Sequence, residues 1–124
     1  MNPSKIAGAI HTQYRFPVAP GVEVHPGRFY GFNASGQLVK PQDATAGRKI
    51  VYAQERTTGN TVATTKALCA VVVVVIIDKD TLTGDDIGKR VYANTETAVT
   101  VTDNSKPCGW LLEVDGQTAA IQLG

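Results

Sequence analysis

Short apolar stretches separated by turn residues make up most of the chain from Arg28 onward. Asn33-Ala34-Ser35-Gly36 and Asp115-Gly116 each stand between two such stretches, as expected for β-hairpins. Residues 98–102 alternate Val and Thr with the period of a strand. The pattern predicts strands at 28–32, 37–40, 49–54, 61–65, 67–77, 90–93, 98–102, 110–114 and 117–123, and a short helical turn within 83–89. We therefore expect an all-β domain of about eight strands, a small barrel or sandwich.

The apolar run at residues 67–77 is the most informative segment. β-branched residues fill most of it, which favours a strand over a helix. Successive side chains of a strand point to opposite faces, so an uninterrupted apolar strand needs cover on both. We expect an oligomer with this strand at its interface, through Val71, Val73, Val75 and Ile77. A central strand of a two-layer monomer, covered internally on its second face, is the alternative.

The first 27 residues differ from the rest of the chain. They hold four of the six prolines, and their apolar spacing fits neither a helix nor a clean strand. The pattern predicts an extended arm at 1–27, followed by the β-domain at 28–124. Within the arm, Tyr14, Arg15 and Phe16 suit a segment that lies across a partner. The same residues would equally suit a cover for one open end of the chain's own domain.

Composition and charge narrow the function. The chain has 124 residues, 43% of them hydrophobic, and a net charge of +1, which fits one compact domain. A net charge this small gives no bulk attraction for nucleic acid or for an anionic membrane. Residues 1–56 carry seven basic and three acidic side chains, whereas the remainder carries five and eight. This asymmetry is either ordinary scatter or a sign that the N-terminal part faces an acidic partner.

No motif in the sequence points to chemistry. The N-terminus lacks a sustained apolar stretch, so we expect no signal peptide, and no apolar run is long enough to span a membrane. Cys69 and Cys108 have no metal-binding spacing and are expected to be reduced thiols. There is no nucleophile elbow, and His11 and His25 lie in the predicted arm. We expect no catalytic residues, no metal, no cofactor and therefore no enzyme.

Residues 26–124 nevertheless show a recognisable order of motifs. These are Pro26-Gly27-Arg28-Phe29-Tyr30-Gly31-Phe32, Gly88-Lys89-Arg90-Val91-Tyr92-Ala93, Val99-Thr100-Val101-Thr102, Cys108-Gly109-Trp110-Leu111-Leu112-Glu113-Val114-Asp115-Gly116 and Ala120-Ile121-Gln122-Leu123. Their order resembles that of the capsid decoration, or cement, proteins of tailed bacteriophages. The long Val/Ile run at 67–77 is a departure from that family's pattern.

The resemblance implies a structural virion protein. Such a protein is made in the host cytoplasm, binds the outside of the expanded head and clamps adjacent major capsid subunits, commonly as a homotrimer. In that setting Tyr14, Arg15 and Phe16 are expected to anchor the arm on the capsid, with Lys5 adding charge complementarity. The alternative is a small β-barrel binding module for nucleic acid or a small ligand. The acidic second half of the chain argues against nucleic acid.

Overall fold

The computed structural model describes residues 12–124, and these form an all-β, sandwich-like domain without a closed barrel. The strands are β1 Gln13–Pro17, β2 Glu23–Val24, β3 Phe29–Phe32, β4 Leu38–Val39, β5 Val51–Ala53, β6 Thr57–Thr58, β7 Lys66–Ala70, β8 Val73–Asp78, β9 Arg90–Ala93, β10 Val99–Thr100, β11 Pro107–Asp115 and β12 Thr118–Leu123. Two 3₁₀ turns, Pro41–Asp43 and Gly84–Asp86, complete the described part. The all-β prediction is confirmed, and so is the short helical turn within 83–89.

The strands form two five-stranded sheets and one small ribbon. The first sheet has the order β1-β7-β5-β3-β4, the second has the order β10-β9-β11-β12-β8, and β2 pairs with β6. Both predicted hairpins, β3–β4 and β11–β12, are present and antiparallel, and β9 pairs antiparallel with β10. The tight connection between β11 and β12 needs a left-handed residue, and Gly116 supplies it with φ of 60°.

The interior is divided into two hydrophobic clusters. The first sheet curves around one of them, which contains Tyr30, Leu38 and Cys69. The other lies against the second sheet and contains Leu111 and Ile121 together with Phe29 from β3. Phe29 and Tyr30 are neighbours on one strand, so their side chains point to opposite faces and enter different clusters. Strand β3 thereby joins the two halves of the interior.

The prediction of one continuous strand at 67–77 is wrong. The chain bends at Val71 and Val72, which separate β7 from β8. β7 lies in the first sheet and β8 in the second, so the run crosses from one sheet to the other. The bend lets each half pack its inward side chains into a different cluster. The chain's own core covers only one face of β8. On the other face, Val74 and Ile76 remain 55% and 63% exposed.

The predicted strand at 61–65 is also absent. This segment is a loop, and the nearest strand before it is the short β6 at Thr57–Thr58, which pairs with β2. Thr residues favour strands only where neighbouring side chains pack on them. Here the single large apolar side chain, Val62, is 93% exposed and gives the segment nothing to bury.

The second half of the predicted arm is part of the domain. β1 pairs antiparallel with β7 over its whole length. Val18 then forms a parallel bridge with Leu38 on β4, which brings the two edges of the first sheet together. Val18 and Val24 are buried. Residues 13–18 therefore belong to the first sheet, while residues 1–11 lie outside the described part.

Candidate docking surface

The outer face of the second sheet carries an exposed apolar patch. Its members are Val72, Val74, Ile76, Trp110 and Leu112, each more than 40% exposed. An apolar group of this size, gathered on one face instead of scattered singly, is typical of a surface that contacts another molecule. We call the outer face of the second sheet, with Val72 at its margin, the docking surface.

Strand register places these side chains in two adjacent rows. Trp110, Gln122 and Val74 lie side by side across β11, β12 and β8, and Glu113, Ala120 and Ile76 form the next row. Side chains directly opposite one another on antiparallel strands are in contact range. The two rows therefore span three strands, with the polar Gln122 between Trp110 and Val74 in the first row and Ala120 between Glu113 and Ile76 in the second.

A bulge in β11 brings Glu113 to the docking surface. The register of β11 against β12 shifts between Leu111 and Glu113, so one residue on β11 is extra. Leu111 is buried in the core, whereas Leu112 and Glu113 are both exposed. Without the bulge, strict alternation would place one of these two side chains inside.

A cation–π contact fixes one end of the docking surface. The guanidinium carbon of Arg90 on β9 lies 4.9 Å from the centre of the Trp110 ring. A planar guanidinium at this distance is attracted to the face of an indole ring. The contact holds Trp110 against its own sheet and leaves positive charge at this end of the surface.

The opposite end of the docking surface is acidic. A shallow groove of ≈ 110 Å³ lies there, lined by Ile76, Glu113, Asp115, Thr118 and Ala120. No ion pair found among residues 12–124 involves Glu113 or Asp115. The groove therefore combines an apolar floor with two carboxylates whose charge is not neutralised by a described neighbour.

Strand β8 forms one edge of the second sheet, with β12 on its only paired side in the described part of the chain. The Lys79 N–H donates to the Gln117 carbonyl over 2.9 Å, which continues the β8–β12 ladder. Backbone groups alternate in direction along a strand, so those of Val74 and Ile76 point to the open edge. Natural edges are usually protected by charge, proline or a bulge. β8 has none of these before Asp78.

The four predicted interface residues point to the interior from the segment that contains β7 and β8. Val75 is buried, Val73 and Ile77 pack half-buried beside it, and Val71 packs against the other cluster. Their side chains are thus occupied by the chain's own core. The exposed side chains of this run are the alternate ones of the docking surface. An oligomer interface in this region stays a prediction, and its contacts would come from the open backbone edge of β8.

The predicted anchoring residues lie on β1, in the first sheet. Tyr14 is exposed and stacks edge-to-face on Phe16, which packs in the same way on Phe32. Arg15 forms an ion pair with Glu55. Lys5 lies outside the described residues. None of these three described side chains belongs to the docking surface, which sequence patterns did not single out.

A separate cleft of ≈ 330 Å³ is lined by Glu23, Arg28, Lys40, Asp43 and Glu96, which carry charges of both signs, together with Gly21, Val22 and His25. The Glu96 carboxylate, only 15% exposed, lies 3.4 Å from Arg28 and 3.5 Å from Lys40. Glu23 pairs with Arg56, whose hydrogen bond lowers the pKa of that carboxyl. Since these cations already have acidic partners, the cleft offers little net charge to a ligand, and its ion pairs tie neighbouring loops together.

The two thiols are unsuited to chemistry. Cys69 and Cys108 are free and buried, each in a different hydrophobic cluster. Burial raises the pKa of both thiols to about 12. A thiol with such a pKa is almost entirely protonated at neutral pH, and the reactive thiolate is absent.

Within residues 12–124, no group of three or more His, Cys, Asp and Glu side chains is arranged to hold a metal ion. The same part of the chain contains no helix long and apolar enough to cross a membrane. No family model, curated protein or solved structure matches the chain. A functional conclusion therefore depends on its own surface and on the resemblance of residues 26–124.

Proposed function

We propose that this chain is a structural virion protein that binds the outside of a tailed-phage capsid and stabilises the expanded head. The observation that carries the proposal is the docking surface, where Trp110 and Leu112 stand exposed beside the apolar residues of β8. Exposed aromatic and aliphatic side chains on a sheet form the central contacts of protein interfaces. The motif order of residues 26–124 supplies the identity of the partner.

Two parts of the second sheet serve two kinds of contact in this proposal. The docking surface meets the major capsid protein, because it is broad enough to seat a segment of another chain. The open edge of β8 meets a neighbouring copy, because the unpaired backbone groups of Val74 and Ile76 can extend a sheet. The resemblance gives a homotrimer as the expected oligomer.

Stabilisation would follow from preferential binding. A protein that binds only the assembled lattice shifts the equilibrium toward that lattice. An oligomer that engages several capsid subunits at once gains further from effective concentration, since each later contact is intramolecular. No catalytic step is needed.

The test begins with the genes that flank this one, where we expect a major capsid gene, and continues with cosedimentation on expanded heads made from its product. We expect the wild type to cosediment, and the Trp110→Ala/Leu112→Ser double variant to bind at least tenfold more weakly, because both side chains lie on the docking surface. Val62→Ser is the matched control, since it removes an exposed apolar side chain from a loop elsewhere. A wild type that does not bind the heads, or gene neighbours without a capsid gene, would contradict the proposal.

A further inference from the structure

The docking surface has an apolar middle and charged ends of opposite sign, and this inference rests on the function proposed above. Val74, Ile76 and Leu112 supply the middle, Arg90 stands at one end, and Glu113 and Asp115 stand at the other. We propose that the capsid segment seated here is basic and apolar, and that one of its Arg or Lys side chains occupies the groove at the acidic end.

The lining of the groove suits a long cationic side chain. Ile76 and Ala120 form an apolar floor on which the methylene stem would lie. Glu113 and Asp115 are two residues apart on β11, about 6.5 Å along the strand, and both are exposed. A guanidinium fork between two such carboxylates forms charge-assisted hydrogen bonds to either one, which makes Arg the better fit.

Charge complementarity favours this partner over others. Elsewhere in the described chain, carboxylates with basic neighbours pair with them, as Glu23, Glu55, Glu96 and Asp86 do. Glu113 and Asp115 have no such pair among the described residues, and Asp78 adds a third carboxylate two strands away, in the same row as Asp115. An acidic peptide or an anionic membrane would be repelled at this end.

The charge distribution also gives the bound segment a direction. Positive charge on Arg90 repels a cation at the Trp110 end, which is two register steps from Glu113 and four from Asp115. The basic residue of the partner must therefore lie toward Asp115, while its apolar residues lie toward Trp110. Reversal of the segment would place its cation beside Arg90 and leave the two carboxylates unpaired.

The experiment is a titration of the full ¹⁵N-labelled chain, followed by amide chemical shifts, with two synthetic peptides as probes. One is acetyl-Leu-Val-Leu-Thr-Arg-amide, whose Leu and Arg side chains share one face of a strand, and the other has Glu in place of the Arg. We expect the Arg peptide to shift the amides of Ile76, Glu113, Asp115 and Ala120, and the Glu peptide to leave them unchanged. Added salt should weaken the binding, because exposed charges are screened.

Two variants separate charge from fold. Glu113→Gln/Asp115→Asn should reduce affinity for the Arg peptide at least tenfold, and an asparagine directly before Gly116 would still suit the tight turn. Asp85→Asn is the matched control, because Asp85 is an exposed acid in the 3₁₀ turn without an ion pair in the described chain. Equal binding of both peptides, shifts confined to other residues, or full affinity in the double variant would each overturn the inference.

Measurements on expanded heads keep this inference apart from the proposed function. If Glu113→Gln/Asp115→Asn binds heads like the wild type while Trp110→Ala/Leu112→Ser does not, the capsid function stands and the basic segment is wrong. If the wild type fails to bind heads, the function itself fails, whatever the peptides do. Concentration-dependent shifts of Trp110, Glu113 and Asp115, which lie on β11 away from the β8 edge, would identify a second copy as the occupant of the docking surface and overturn the basic capsid segment.

Discussion

Arg90 covers the ring of Trp110 on the outer face of the second sheet, with the guanidinium carbon 4.9 Å from the ring centre. Trp110 is the only tryptophan of the chain, so its fluorescence reports on this surface alone. Arg90→Ala should lower the free energy of unfolding by about 1 kcal/mol, as expected for a partly exposed cation–π contact. Urea denaturation followed by tryptophan emission measures the change.

Arg90→Lys provides the control for that prediction. A lysine keeps the positive charge but loses the flat stacking of the guanidinium, so its stability should fall between those of the wild type and Arg90→Ala. Equal midpoints for all three proteins would show that the contact contributes nothing to stability.

Gly109 on β11 is fixed by close strand packing. A Cβ at this position would lie 1.9 Å from the carbonyl oxygen of Gln122 on the paired strand. Gly109→Ala should therefore destabilise the fold by about 3 kcal/mol or more, because β11 and β12 must separate to admit the methyl group. At Gly84 an added Cβ meets nothing within 4 Å, so Gly84→Ala should change stability by less than about 1 kcal/mol. Thermal melts of both variants test the pair, and similar melting temperatures would refute it.

The thiols of Cys69 and Cys108 should resist modification. Because burial raises the pKa of both to about 12, the folded protein should not react with a disulfide reagent at pH 8, whereas the denatured protein should react twice. The unfolded thiols ionise at a lower pH than the folded ones, so stability should fall as pH rises from about 9 toward 12. The loss is at most about 1.4 kcal/mol per pH unit for each thiol. Rapid labelling of the native protein would contradict the burial of these side chains.

The open edge of β8 should support self-association. We expect the wild type to sediment as an oligomer at micromolar concentration and Val74→Lys to sediment as a monomer, because a lysine on an edge strand opposes pairing with another chain. Val62→Lys places the same charge on an exposed loop and should leave the oligomer intact. A wild type that sediments as a monomer would rule out this interface.

The hairpins were predictable because their signals are local. Asn33 accepts hydrogen bonds from the backbone N–H groups of Ser35 and Gln37 in the turn before β4, and Gly116 adopts the left-handed conformation that the second hairpin requires. Both effects involve residues within four positions of one another. Such turns specify pairing wherever the flanking residues are apolar.

The division of the Val/Ile run could not be predicted in the same way. Val71 and Val72 are identical in type to their neighbours, so nothing local marks the bend between β7 and β8. Alternation separates the two faces of a strand, but it does not say which face is inside. Competition between two clusters decides this, and it places Val75 inside and Ile76 outside.

The docking surface could not be predicted from the sequence for a related reason. Trp110, Leu111 and Leu112 are all large and apolar, so their order gives no hint that the first and third are exposed. Alternation separates Leu111 from Trp110 and Leu112 but does not say which face is inside, and pairing with β12, which is remote from any pattern within β11, decides it.

The crossing of the β7–β8 segment from one sheet to the other has a consequence for how the molecule opens. The same short stretch of backbone supplies Cys69 to one cluster and Val75 to the other. If either cluster unfolds, β7 and β8 are no longer held in place, and the other cluster loses side chains that it buries. The two halves should therefore unfold as a single cooperative unit. In native-state hydrogen exchange, the slowest amides of both sheets should consequently share one opening free energy.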